Sequence, residues 1–222
     1  MNLKYSENKK NNDAILEGLE IMCRVFWGPD LESCRHMIEG NFFESFETIL
    51  TKPEAKPSVI LDNINSIINR FDTPQSLFHH LNECYVRLFV NNKEGITAPL
   101  YQSCYEFKNA PMMGKSAVKM NKRFKSKSLS LAEDMNEPPD HLAIELEYLY
   151  FLLENGWTNK DNELVAEAVA FAGESILPWV IQLRNLLKNE NICPFYPLSA
   201  SLLVVILSII AGFVNGGQPS ES

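Results

Sequence analysis

Leu142, Leu146, Leu149 and Leu153 recur at steps of four, three and four. An α-helix turns once in about 3.6 residues, so this spacing lays the leucines along one stripe, where a strand would scatter them over two faces. The same step governs most of the chain. Ile15, Leu19, Met22, Cys23 and Phe26 form one stripe, stopped by Gly28-Pro29-Asp30. Phe42, Phe43, Phe46, Ile49 and Leu50 form a short one, followed by a loop bracketed by Pro53 and Pro57. Ile60, Ile64, Ile67 and Ile68 run to Asp72-Thr73-Pro74, and Leu77, Leu81, Cys84, Tyr85, Leu88 and Phe89 run to Asn91-Asn92 and Gly95. Gly156 reads as the stop of the leucine helix. A longer helical stretch then reaches Asn189, with an interruption expected at Pro178, and Pro194 and Pro197 precede a last apolar helix. No run of useful length alternates apolar with polar, and no internal repeat is present. The expected fold is all-α, a single globular helical domain of roughly nine or ten helices.

Residues 1–12 read as a polar N-terminal segment without the apolar core of a secretory signal, 13–214 as the helical domain and 215–222 as a disordered tail. Glu133 to Asp140 is acidic and Pro-rich and reads as a linker, which places a hinge near 126–139. Such a hinge permits two copies to exchange halves, so a monomer alongside a domain-swapped dimer is expected. Lys115 to Lys127 carries six basic residues and reads as a solvated helix face with no assigned role. Leu198 to Val214 is 17 residues without a charge. That is the short limit for crossing a bilayer, and no basic residue follows it, so a buried helix is expected rather than a stable membrane insertion.

Asp and Glu number 28 against 20 Lys and Arg, a net charge of −8. A balance that acidic argues against nucleic acid, whose phosphates need a basic face, and suits a cationic peptide or simple solubility. The five cysteines, Cys23, Cys34, Cys84, Cys104 and Cys193, show no C-x-x-C pair. They read as buried thiols in a reducing compartment rather than as a zinc site or a disulfide framework. His36, His79, His80 and His141 show none of the zinc-hydrolase spacings, and no G-x-S-x-G turn exists. Glu145 and Glu147, two apart on a helix, point to different faces. Asn109 to Ser116 reads N-A-P-M-M-G-K-S, but a phosphate loop needs Gly where Asn109 stands and a strand before it. Nothing here argues for catalysis, a cofactor or a metal.

One segment stands apart: Glu137-Pro138-Pro139-Asp140-His141-Leu142, running on to Glu145 and Glu147. Two prolines stiffen an extended approach, and Asp140 then sits where a helix N-cap belongs. His141 and Glu145, four apart, share a face. The expectation is a helix mouth with Asp140 and His141 open to a cleft above the leucine stripe.

That segment resembles the E-P-x-D-H signature of the TorD/DmsD family, the chaperones that mature molybdenum-cofactor oxidoreductases. Upstream, Tyr85-Val86-Arg87-Leu88-Phe89 and Pro99-Leu100-Tyr101-Gln102-Ser103-Cys104-Tyr105 resemble the family's Y-x-x-L-F and P-L-Y-x-S-x-Y motifs. Trp179 and Phe195-Tyr196-Pro197-Leu198 resemble its C-terminal helices more weakly. The resemblance implies an all-helical cytoplasmic protein of anaerobic respiration that is not an enzyme. It implies a partner, the apo form of a molybdopterin oxidoreductase, whose twin-arginine signal peptide is held until the cofactor is inserted and Tat export allowed. A basic, apolar leader calls for carboxylates beside an apolar groove. The residues so implied for signal-peptide binding are Asp140, His141, Glu137, Glu145, Pro99, Tyr101 and Tyr85, with the two tyrosines expected to pack more than to touch the leader. Asp140 is expected to pair with a leader arginine or to cap the helix, and His141 to hydrogen-bond and titrate near neutral pH. The alternatives are a small helical nucleotide-binding or hydrolase protein built on Gly114-Lys115-Ser116, and a membrane-anchored accessory subunit held by Leu198 to Val214. The client enzyme is not legible.

Overall fold

The computed structural model describes residues 9–49, 57–91, 95–132, 136–190 and 193–212. Ten α-helices form among them: α1 Lys9–Trp27, α2 Leu31–Glu39, α3 Glu44–Ile49, α4 Pro57–Ile68, α5 Pro74–Tyr85, α6 Lys115–Ser126, α7 Leu142–Asn159, α8 Asn162–Ala170, α9 Leu177–Asn189 and α10 Phe195–Ala211. No strand forms among the described residues; a lone antiparallel bridge joins Tyr101 to His141. The all-α expectation is met. Residues 1–8 and 213–222 lie outside the description, and α1 begins inside the segment read as a polar N-terminus.

The leucine stripe becomes the centre of the molecule. Leu142, Leu146, Leu149, Leu152 and Leu153 are buried, and so are Ala143, Ile144 and Tyr148 on the other sides of α7. Each fully buried leucine there contributes about 2 kcal/mol. α1 lies along α7, where Cys23 Sγ reaches the Ala143 carbonyl at 3.7 Å, α8 packs beside α7, and α10 packs on α9, α4 and α1. Short polar caps fix the helix starts. Asp30 accepts the Ser33 N–H at 2.8 Å ahead of α2, and Thr73 accepts the Ser76 N–H at 3.2 Å ahead of α5.

Three local readings are corrected. Gly156 does not stop α7; the helix runs on to Asn159 and closes on Lys160 in the left-handed region. Gly156 is there because α8 crosses so close that a Cβ would stand 2.7 Å from Val165 Cγ2. Pro178 does not interrupt the long C-terminal stretch. A π-helical turn, Phe171–Ile176, joins α8 to α9 and places Pro178 in the first turn of α9, where a missing N–H costs nothing. The stretch read as a linker is docked at its end, with Pro139 and Asp140 buried. Residues 133–135 of the proposed hinge lie outside the description, while Leu129 and Leu131 pack against the core.

Leu198 to Ala211 of the uncharged C-terminal run lie in α10, with Leu203, Ile206, Leu207 and Ile210 inside the core, and residues 213 and 214 of that run lie outside the description. By length and composition, the one described helix able to cross a membrane is instead Asn162–Asn189, at mean hydropathy 1.6. It too is a packed helix: Trp179, Val180, Leu183 and Leu187 face the core.

Candidate functional site

The two most distinctive motifs are zipped together. The Gln102 N–H donates to the Asp140 carbonyl at 3.0 Å, and the Leu142 N–H donates to the Leu100 carbonyl at 2.8 Å. Between them the Ser103 N–H donates to Asp140 Oδ2 at 2.8 Å. Asp140 is 0 % exposed. Its carboxylate therefore locks the Pro99–Tyr105 segment to the start of α7 and does not cap the helix. The cap is His141, whose Nδ1 accepts the Ala143 N–H at 3.3 Å. Sequence placed the carboxylate one residue early because its partner lies 37 residues away. Tyr105 braces the same segment by donating to the Pro99 carbonyl at 2.8 Å.

Glu145 is likewise 0 % exposed. Trp179 Nε1–H donates to its Oε2 at 3.1 Å. Burial pushes the Glu145 carboxyl well above the carboxylate range; the Trp179 hydrogen bond opposes this, and the neighbouring Asp140 charge adds to it. His141 is 4 % exposed, and burial pulls it down to about 4 despite the nearby Glu137 and Asp140 charges. It is a neutral ring at physiological pH, so the expected titration near neutrality is not found. The mouth imagined over Asp140, His141 and Glu145 is closed, and these three residues are its back wall.

Other groups face outward. The Trp27 ring, at the end of α1, stacks on the His141 ring with centroids 4.9 Å apart, and the Tyr101 ring meets His141 edge-on at 5.3 Å. Trp27 Nε1–H donates to Glu147 Oε1 at 2.9 Å, and the Tyr101 hydroxyl donates to Glu137 Oε2 at 2.7 Å. The Tyr85 hydroxyl donates to the Phe26 carbonyl at 3.1 Å. Its ring covers Gly28, which turns at a φ of +116° and would bring a Cβ within 3.4 Å of that ring. Trp27, Tyr85, Tyr101 and Glu137 are half-buried and Glu147 is exposed. Among the described residues neither Glu137 nor Glu147 is paired with a cation. Val86 and Val90 stand exposed on the π-helical turn after Tyr85. The corner thus offers two carboxylates held by neutral donors on an aromatic wall. Sequence reasoning missed Trp27; it lies 120 residues from Glu147 and carries no local signal.

The Gly114-Lys115-Ser116 start of α6 is occupied. Glu106 Oε1 accepts the Ser116 N–H at 2.6 Å and the Ser116 hydroxyl at 2.5 Å. A carboxylate there repels the phosphate that a nucleotide would bring. The basic stretch that follows is partly committed: Arg123 and Lys127 reach Glu167 at 3.3 and 2.8 Å, and Arg123 lies over the Phe171 ring. A cleft of about 890 Å³ lies between α1, α2 and α3, away from the motif corner. Its lining mixes Asp13, Glu17, Glu20 and Glu44 with Lys9, Lys10 and Arg24, and contains no motif residue. The corner is the stronger candidate because, among the described residues, no cation pairs with Glu137 or Glu147.

Comparison with known proteins follows the same lines. A family model described as nitrate reductase delta subunit matches residues 60–185, more than half of the chain. The chaperone protein TorD of Aliivibrio salmonicida is 26% identical over 183 residues, covering 78% of this chain and 84% of the relative. TorD of Photobacterium profundum is 26% identical over 170 residues, covering 75% and 77%. Among solved structures, a protein described as a redox enzyme maturation protein from Archaeoglobus fulgidus aligns over 96% of this chain and 98% of its own, at 18% identity and a TM-score of 0.47.

Proposed function

Because the chain belongs to the nitrate reductase delta subunit family, which includes the TorD chaperones of redox-enzyme maturation, we propose that it binds the twin-arginine signal peptide of a molybdopterin oxidoreductase at the Trp27–Tyr101 corner. It is a maturation chaperone, of a family of chaperones rather than enzymes. In this reading it holds its client in the cytoplasm until the molybdopterin cofactor is inserted, and then releases the leader for export.

The observation that carries the reading is the pair Glu137 and Glu147, set on an aromatic wall and free of protein cations among the described residues. Each takes one neutral hydrogen bond, which leaves acceptor capacity for an incoming guanidinium. Arginine pairs with a carboxylate through two parallel hydrogen bonds and stacks on indole and phenol faces, so the corner fits both properties of an arginine pair. Val86 and Val90 offer apolar surface beside Tyr85 for the segment that follows the arginines. Asp140, His141, Glu145 and Pro99 act behind the wall, fixing the positions of Tyr101 and the Trp27 ring.

The test is calorimetry with synthetic leaders of several molybdenum enzymes. At least one should bind at micromolar affinity or better. Replacing its arginine pair by alanine should weaken binding, and so should Glu137→Gln combined with Glu147→Gln in a protein whose melting is unchanged. No heat from any leader overturns the proposal, as does binding indifferent to both changes.

A further inference from the structure

Away from the corner, α5 and the start of α10 bring together three side chains that the leader reading does not use. His80 and Cys84 are four apart on α5 and share one face. Cys193 arrives 113 residues after His80, just before α10. His80 Nε2 lies 3.8 Å from Cys84 Sγ and 3.9 Å from Cys193 Sγ, and the three ligand atoms all lie within 4.8 Å of one another. We propose that His80, Cys84 and Cys193 form a binding site for one soft divalent cation, with zinc as the natural occupant and a fourth position left for water or a partner's ligand.

The geometry supports this directly. Tetrahedral zinc with Zn–S about 2.3 Å and Zn–N about 2.0 Å sets sulfur and nitrogen about 3.5 Å apart and the two sulfurs about 3.8 Å apart. Contraction by a few tenths of an ångström would take each sulfur–nitrogen distance there. The imidazole is already oriented, with the Phe71 ring packed on it at 4.9 Å between centroids. Both sulfurs are buried while His80 is half-exposed, so an ion has an approach from the histidine side. Binding balances as one metal ion taken up, the His80 lone pair donated, and the Cys84 and Cys193 protons released to solvent as both sulfurs coordinate. Two thiolates and an imidazole select a soft ion over magnesium or calcium. The spacing H-x-x-x-C was visible in the sequence, but the second cysteine was not, because the fold alone brings Cys193 to it.

The test uses the untagged full-length chain, reduced and stripped with a chelator, then titrated with Co²⁺. One equivalent should produce a thiolate-to-cobalt charge-transfer band with tetrahedral visible bands, and Zn²⁺ should abolish both. Cys84→Ser, Cys193→Ser and His80→Ala should each lose the charge-transfer intensity or shift its midpoint at least tenfold. A second arm does not depend on the variants folding. In the wild-type chain Zn²⁺ should protect Cys84 and Cys193 from alkylation, read by peptide mass spectrometry, while Cys104 stays equally reactive. No charge-transfer band in the wild-type chain, bands that survive in folded variants, or zinc protection absent from those two cysteines would each overturn the site. Leader binding is measured separately and can fail without it.

Discussion

Two helix starts in this chain carry short polar motifs, and both are held by a carboxylate on a backbone N–H. At α6 the carboxylate is Glu106, an exposed residue ten positions before its partner Ser116. At α7 it is Asp140, sealed inside and bonded to Ser103, 37 positions back. The sequence motif suggestive of nucleotide chemistry is the exposed one, and it is a local surface closure. The motif shared with the chaperone family is the buried one, and it joins distant segments. Burial separates the two roles: water can replace Glu106 but cannot reach the Ser103 amide.

The contrast predicts a ranking. Asp140→Ala should have the largest effect, about 4 kcal/mol, because it removes a charged acceptor and leaves a buried N–H without a partner. Urea unfolding at neutral pH measures it, and a loss no larger than that of Glu106→Ala would dissolve the distinction. His141 comes next. With its pKa at about 4 in the fold against 6.5 in the unfolded chain, the unfolded state binds more protons between those values. Its contribution is therefore complete above pH 6.5 and is lost as pH falls through 4, by about 3 kcal/mol. His141→Asn keeps a capping oxygen and cannot titrate there, so its unfolding free energy should fall less steeply over the same window.

Glu145 has the opposite sign. Its raised carboxyl keeps a proton in the fold, so its contribution is complete at acid pH and is lost as pH rises through the folded value. Glu145→Gln should remove that loss while keeping an acceptor for Trp179. Glu145→Ala should cost about 2 kcal/mol at acid pH, because it orphans the indole N–H, and less as pH rises and the wild-type contribution is lost. Thermal melts run from acid to alkaline pH distinguish the two. The smallest effect belongs to Glu106→Ala, about 1 kcal/mol, as for an exposed cap.

Much of the fold was legible because helix stripes are local. Leu77, Leu81, Cys84 and Leu88 are buried as their spacing requires, and so are Ile64, Ile67 and Ile68. The errors fall where a distant element decides. Gly156 looked like a stop because glycine often is one, and only the approach of Val165 explains it within a helix. Asp140 looked like a cap because its partner in the other motif cannot be paired by spacing alone. The two motif segments come together in the fold, but which of their residues face solvent is decided by Trp27, stacking on His141 from α1.

The π-helical turn Phe171–Ile176 also has a consequence for everything after it. One extra residue per turn there advances the winding by about 100° relative to a plain helix. Removing a single residue from that turn would rotate the C-terminal half out of phase. The Trp179 indole would swing away from Glu145, and the Ser175 carbonyl would abandon the Gln102 amide that it accepts at 2.9 Å. A one-residue deletion some 70 residues along the chain would therefore loosen the wall behind Tyr101.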